Sequence, residues 1–217
     1  MKNMTDAFLS EKDREKIRLA VEKAEGRTSG EIVPMVVSSS YTYPMADVLG
    51  ASALSFPLAV ILTVYVCGLL WMGTPNMWVF IGFFSVLFLV FHALIKHVSG
   101  FKRFFISKRE IDEEVGEAAV TAFFREGLYR TRDETGVLLF ISVFERKVMV
   151  LADKGIDAHV GKDAWVWIVD HITSGIKQKR QADAICEAVT MVGDMLATHF
   201  PVKDDDTNEL KNLIVES

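Results

Sequence analysis

A chain of 217 residues, half of them hydrophobic, is long enough for one or two domains. Its 24 Lys and Arg against 29 Asp and Glu leave a net charge of -5, which excludes the general basic footprint of a nucleic-acid binder. Two cysteines, Cys67 and Cys186, without a Cys-x-x-Cys pair, exclude a disulfide framework and fit buried thiols in a reducing compartment.

Met1 to Ser10 has no apolar core and does not read as a signal peptide. Ser10 followed by Asp13 resembles a capping box. Ile17, Ala20, Val21 and Ala24 then recur at helical spacing, which predicts a helix over 10–25 closed by Gly26. Glu31 to Val37 reads as a strand. Pro34 removes one ladder donor, so that strand is expected to have a free edge or a bulge there. Ser38 to Pro44 reads as a linker.

From Val48 to Ile95 there is no Asp, Glu, Lys or Arg. A helix needs about 20 apolar residues to cross a bilayer core. Residues 48–72 and 77–95 each supply such a stretch, and Gly73, Thr74, Pro75 and Asn76 form the turn between them. Trp71 and Trp78 flank that turn, where indole rings favour the membrane–water interface. Lys96, Lys102, Arg103, Lys108 and Arg109 follow the second span, and the nearest basic residue before the first is Arg27. The positive-inside rule then predicts both termini and the soluble domain in the cytoplasm of a bacterial inner membrane. Phe101 and Phe104 interleave with Lys102 and Arg103 as an interfacial segment suited to anionic lipid. A helix simply leaving the membrane is a compatible reading.

Ile111, Val115, Ala119, Ala122 and Phe123 predict a further helix ending near Tyr129. Val137 to Phe144 is a continuous apolar run of the buried-strand type. Glu145-Arg146 reverses the chain, and Lys147 to Ala152 reads as the second strand of a hairpin, broken by Asp153-Lys154-Gly155. Trp165, Ile168, Ile172 and Ile176 mark one helix; Ile185, Ala188, Val189, Val192 and Leu196 mark another, stopped by Pro201. Trp165 fits the core stripe and Trp167 points to another side. The tail from Lys203, with Asp204-Asp205-Asp206, reads as a frayed, solvated charge run.

Helices around a mixed sheet make an α/β layered domain. Residues 1–46 offer one helix and one strand, too little for a core, so they are expected to pair with residues 97–202. The hairpin, 47–96, is then an insertion, and 203–217 an acidic tail. Thr28-Ser29-Gly30-Glu31-Ile32-Val33, Thr135-Gly136-Val137-Leu138-Leu139-Phe140-Ile141-Ser142, Glu145-Arg146-Lys147-Val148 and Ala152-Asp153-Lys154-Gly155-Ile156 together resemble the TPM domain family. The likeness is to its bacterial branch with a transmembrane hairpin inside the domain. It spans about residues 8–201 and implies a TPM-like α/β fold. Some members are acid phosphatases and some bind divalent metal at acidic strand ends. The family's Asp-Asn-Gly stands here as Glu134-Thr135-Gly136, and its Gly-x-Gly as Asp153-Lys154-Gly155.

Glu134, Asp153 and Asp157 are accordingly the expected oxygen ligands for Ca²⁺ or Mg²⁺. As turn residues they equally need no function. The histidines show no ligand spacing: His97, His159, His171 and His199 are scattered, and His92 sits in the second span. There is no Gly-x-Ser-x-Gly, Walker or Gly-x-Gly-x-x-Gly motif, and no catalytic residue is assigned. The leading expectation is a membrane-anchored binding or modulating module, engaging a membrane-protein partner or its own copies. A weak metal-dependent acid phosphatase and an anionic-lipid-binding module are the alternatives.

Overall fold

The computed structural model describes residues 4–72, 74–131, 133–157, 159–202 and 210–216. Gly73, Arg132 and the Asp204–Asp206 run lie outside the described residues. The chain divides into two compact units, residues 1–41 with 112–217 and residues 42–111.

The first unit begins with α1 (Met4–Phe8) and α2 (Glu11–Glu25). Ser10 caps α2 with the full reciprocal box: its hydroxyl accepts from Asp13 N–H, and the Asp13 carboxylate accepts from Ser10 N–H at 2.9 Å. Asp at the third position therefore does the work usually given to Glu. β1 (Glu31–Val37) follows.

Two helices form the second unit with α5: α3 (Pro44–Leu69) and α4 (Met77–His97), then α5 (Ser99–Phe104). α3 starts at Pro44 itself, whose fixed φ and missing N–H suit a first helical position. Pro57 lies inside it. Ala51, Ser55, Ala59, Thr63 and Cys67 recur every four residues and are all buried, making a narrow seam of small side chains. α4 carries a ladder of half-buried rings, Phe80, Phe84, Phe88 and His92, with successive ring centroids 6.0, 6.0 and 5.8 Å apart. Phe56 meets Phe80 edge-on at 5.8 Å. Small side chains in such a seam let a neighbouring helix approach closely. The rest of both helices is uncovered: Tyr65, Leu69, Trp78 and Leu89 are all more than 60% exposed.

The chain returns to the first unit through α6 (Lys108–Arg125), a 3₁₀ turn at Leu128–Arg130, β2 (Gly136–Ser142), β3 (Lys147–Ala152), α7 (Lys154–Asp157), α8 (Lys162–Lys177), α9 (Gln181–His199) and β4 (Ile214–Glu216). The sheet order is β3-β2-β1-β4. β1 is parallel to β2, from Glu31 opposite Gly136 to Val37 opposite Ser142, and β3 is antiparallel to β2. The two pieces of the domain therefore close into one mixed sheet. Every residue of β1 and β2 is buried. Ile32, Val36, Val137, Leu139 and Ile141 join the core formed with α2, α8 and α9. The alternating residues Val33, Met35, Leu138 and Phe140 are buried on the opposite face, toward α6 with its buried Val115, Ala119, Ala122 and Phe123.

β4 departs from the frayed tail expected there. Leu213, Ile214 and Val215 supply an apolar stretch, and Ile214–Glu216 pairs in parallel with Met35–Val37. Pro34 fits this edge. Glu31 N–H donates to Thr135 on the β2 side, whereas Ile32 N–H donates to the Glu25 carboxylate and Ser38 N–H to Glu216 on the other. The alternation puts the donor-less Pro34 nitrogen on the β4 side, one residue before β4 begins.

Candidate functional site

The sequence-designated acids lie where β1 and β2 begin and β3 ends. Thr131, which is buried, builds the approach: its hydroxyl accepts from Thr135 N–H at 3.0 Å, and its carbonyl accepts from Glu134 N–H at 3.1 Å. This turn holds Glu134 at φ 55, a left-handed backbone that costs a non-glycine residue energy. Thr135 then locks the turn to β1, its hydroxyl donating to the Ser29 carbonyl at 3.1 Å.

Asp153 ends β3. Its N–H donates to the Gly136 carbonyl, its carbonyl starts α7 by accepting from Ile156 and Asp157 N–H, and its Oδ1 accepts from Lys154 N–H at 2.8 Å. Its second carboxylate oxygen, Oδ2, is buried and has no hydrogen-bond partner among the described residues. Gly155 lets the two turns touch: a Cβ there would stand 2.7 Å from the Glu134 carbonyl oxygen and 2.9 Å from that of Asp133. Gly136 is tight for the same reason, with the Leu128 carbonyl 2.5 Å from where its Cβ would be.

The structure thus brings the Glu134 backbone against the Asp153–Gly155 turn. Glu134 and Asp157 are exposed, while Asp153 is 9% exposed. Among the described residues no three His, Cys, Asp or Glu side chains gather closely enough to hold a metal. Asp153 Oδ2 is the feature here that suits a cation, a buried carboxylate oxygen without a hydrogen-bond partner among the described residues.

In the second unit, Phe101 is 49% and Phe104 84% exposed. Lys102 is different from its neighbours. Its Nζ lies 3.0 Å from Asp47 Oδ2, and both side chains are mostly buried. Asp47 stands one residue before the uncharged window, so its pairing with α5 was outside the pattern that marked Lys102 as a lipid contact.

Sequence spacing also missed three features. Glu145, fully buried in the β2–β3 turn, accepts from Ser40 N–H at 2.9 Å, Ser39 Oγ at 3.1 Å and Ser142 Oγ. A charged residue in a reversal reads as solvent-facing, and only the fold reveals its three donors. His159 and His199, 40 positions apart, come together with ring centroids 5.6 Å apart. Finally, a cavity of about 370 Å³ on the α6 side of the sheet has Met35 and Phe140 in its lining together with Glu117, Arg125 and Glu216.

Comparison with known proteins gives this geometry a context. Residues 103–195 match the family model described as the TPM domain. The NMR structure of the BA42 protein from the psychrophilic bacterium Bizionia argentinensis is similar in fold, with a TM-score of 0.59 at 20% identity over 97% of this chain and 96% of that one. No curated protein matches the chain. The matched segment holds α6, β2, β3, α7, α8 and most of α9, and β1 completes its sheet, so residues 103–195 carry the similarity to the TPM domain and the likeness in fold extends over the rest of the chain.

Proposed function

We propose that this chain is a membrane-anchored TPM module that binds or modulates a partner at the cytoplasmic face of a bacterial inner membrane. One observation carries the reading: α3 and α4 are long, free of Asp, Glu, Lys and Arg from Val48 to Ile95, and only 22% and 6% buried over their most apolar stretches. So much uncovered apolar surface is unfavourable in water and favourable in lipid. The basic cluster from Lys96 to Arg109 supports the cytoplasmic side. The partner is a membrane protein or another copy of the chain. Crosslinking in native membranes is expected to capture a larger species. Recovery of monomer alone, or of the chain in the aqueous fraction after alkaline washing, contradicts the proposal.

A second reading, metal-assisted phosphatase activity through Asp153 and Glu134, is favoured by the buried Asp153 Oδ2, which has no hydrogen-bond partner among the described residues. Purified protein assayed on a generic phosphoester with Mg²⁺ or Ca²⁺, with and without chelator, tests it. Equal activity in an Asp153→Asn, Glu134→Gln double variant removes it. A lipid-binding role would rest on exposed Phe101 and Phe104, since the Lys102 charge is matched by Asp47.

A further inference from the structure

We propose that His159 and His199 form a two-imidazole site for a borderline divalent transition metal, Zn²⁺ or Cu²⁺. Imidazole is the natural ligand for these ions, unlike the oxygen donors that Ca²⁺ and Mg²⁺ require. The site is separate in chemistry from the acidic positions at Glu134, Asp153 and Asp157.

Three observations support it. First, the ring centroids are 5.6 Å apart with planes inclined by 42°, which is not a stacked pair. With metal–nitrogen bonds of about 2.0–2.1 Å, two imidazoles on one ion have centroids roughly 5–6 Å apart. Second, His159 Nδ1 lies 2.9 Å from the Gly155 carbonyl oxygen. A carbonyl only accepts, so the neutral ring carries its hydrogen on Nδ1 and keeps the Nε2 lone pair outward. Ligating histidines are usually oriented in this way, by a hydrogen bond from the other ring nitrogen to a carbonyl or carboxylate. Third, the His199 side chain has no hydrogen-bond partner among the described residues, and the residue ends α9, where the last carbonyls favour a cation.

The platform is firm. The Phe200 carbonyl, next to His199, accepts from Thr28 Oγ1 at 2.6 Å and from Ser29 N–H at 3.0 Å. The Phe200 ring packs edge-on against His159 at 5.5 Å. On the other side, α7 is fixed by Asp153 and by the close approach of Gly155 to the Glu134 turn. Both histidines are exposed, so an ion reaches them from solvent. No third His, Cys, Asp or Glu joins them among the described residues, so water completes the coordination. A bound ion would tie α7 to the end of α9 and close the strand ends where the acidic turns lie.

The full chain in detergent micelles, stripped of metal, is the material for the test. Zn²⁺ is expected to slow diethylpyrocarbonate modification of His159 and His199, read by mass spectrometry, and to leave His97 and His171 unaffected. Sub-stoichiometric Cu²⁺ is expected to show coupling to two imidazole nitrogens in its paramagnetic resonance spectrum. H159Q and H199Q should each reduce this to one nitrogen and weaken binding about tenfold or more, since loss of an outer partner alone costs that much. Unchanged modification rates with Zn²⁺ in the unaltered protein overturn the proposal. So does a Cu²⁺ spectrum in H159Q/H199Q identical to that of the parent.

Discussion

Glu145→Ala tests whether a buried carboxylate organises the end of the sheet where the chain leaves for α3. Glu145 is 0% exposed and receives three donors, Ser40 N–H, Ser39 Oγ and Ser142 Oγ. Hydrogen bonds to a charged acceptor contribute about 1.5–3 kcal/mol each, and an abandoned buried donor costs about 1–3 kcal/mol. Ser39 is exposed and its hydroxyl also lies 2.7 Å from the Tyr41 carbonyl oxygen, so its loss counts little. Ser40 N–H and Ser142 Oγ remain, which predicts a loss of about 2–5 kcal/mol, a large share of the ~5–15 kcal/mol typical of a domain. Glu145→Gln keeps the volume and an acceptor for Ser40 and should lose only about 1–2 kcal/mol. The assay is urea unfolding of the full chain in micelles, in a Trp71→Phe, Trp78→Phe background, so that emission reports Trp165 and Trp167. Faster amide exchange at Ser40 should accompany the loss. A Glu145→Ala midpoint equivalent to within about 0.5 kcal/mol of the parent refutes the reasoning.

Gly155→Ala should destabilise by about 1–3 kcal/mol in the same titration, because the added carbon meets two backbone carbonyls that cannot move aside. Gly161→Ala, at the N-cap of α8 where a Cβ would meet nothing within 4 Å, should lose less than about 1 kcal/mol, and equal effects at both positions would contradict the close approach. Burial pushes the Cys186 thiol up, with Lys16 opposing, so iodoacetamide at pH 8 should label it more slowly than an exposed thiol. The same direction means that the unfolded chain releases its thiol proton first. This contribution to stability is therefore whole below the usual thiol range and falls as pH rises through that range toward the folded value. Labelling of Cys186 as fast as a free thiol at pH 8 would show that the burial is wrong.

The elements that could be read in advance are those whose signal is local. The capping residues at Ser10 and Asp13, the alternation of turn and apolar run around β2, the helical stripes of α8 and α9 and the uncharged window from Val48 all depend on neighbours a few positions away. β4 escaped because three apolar residues after an acidic run carry no period, and only the open edge beside Met35–Val37 gives them a place. α5 and α7, of 6 and 4 residues, are too short to show a helical stripe. The site was legible only in part for the same reason. Glu134 and Asp153 were marked by their turns, but the placement of Gly155 against Glu134, the pairing of Asp47 with Lys102 and the meeting of His159 with His199 are non-local. Residue spacing along the chain carries no information about such contacts.

The register of β1 against β2 sets a condition on everything inserted between them. Seven residue pairs run in parallel from Glu31–Gly136 to Val37–Ser142, and both strands are buried throughout. Both ends of the insertion must therefore reach the same compartment, which two membrane crossings satisfy and one does not. Deleting Met77–His97 leaves one long apolar helix, α3. If that helix crosses the bilayer, β1 and the rest of the sheet are delivered to opposite sides. β2 then keeps only β3, and a two-stranded ribbon is marginal in water. Replacing residues 42–107 with a Gly/Ser linker of about 12 residues, whose average span is near 20 Å, leaves α6 as the crossover instead. A parallel connection needs about a dozen residues or more, which α6 and the linker supply. The linker variant is expected to be water-soluble and to unfold cooperatively in urea, whereas the single-helix variant in native membranes should be digested quickly by protease in β1. A single-helix variant as protease-resistant as the parent would mean that α3 does not cross, and the membrane-anchored reading would fall with it.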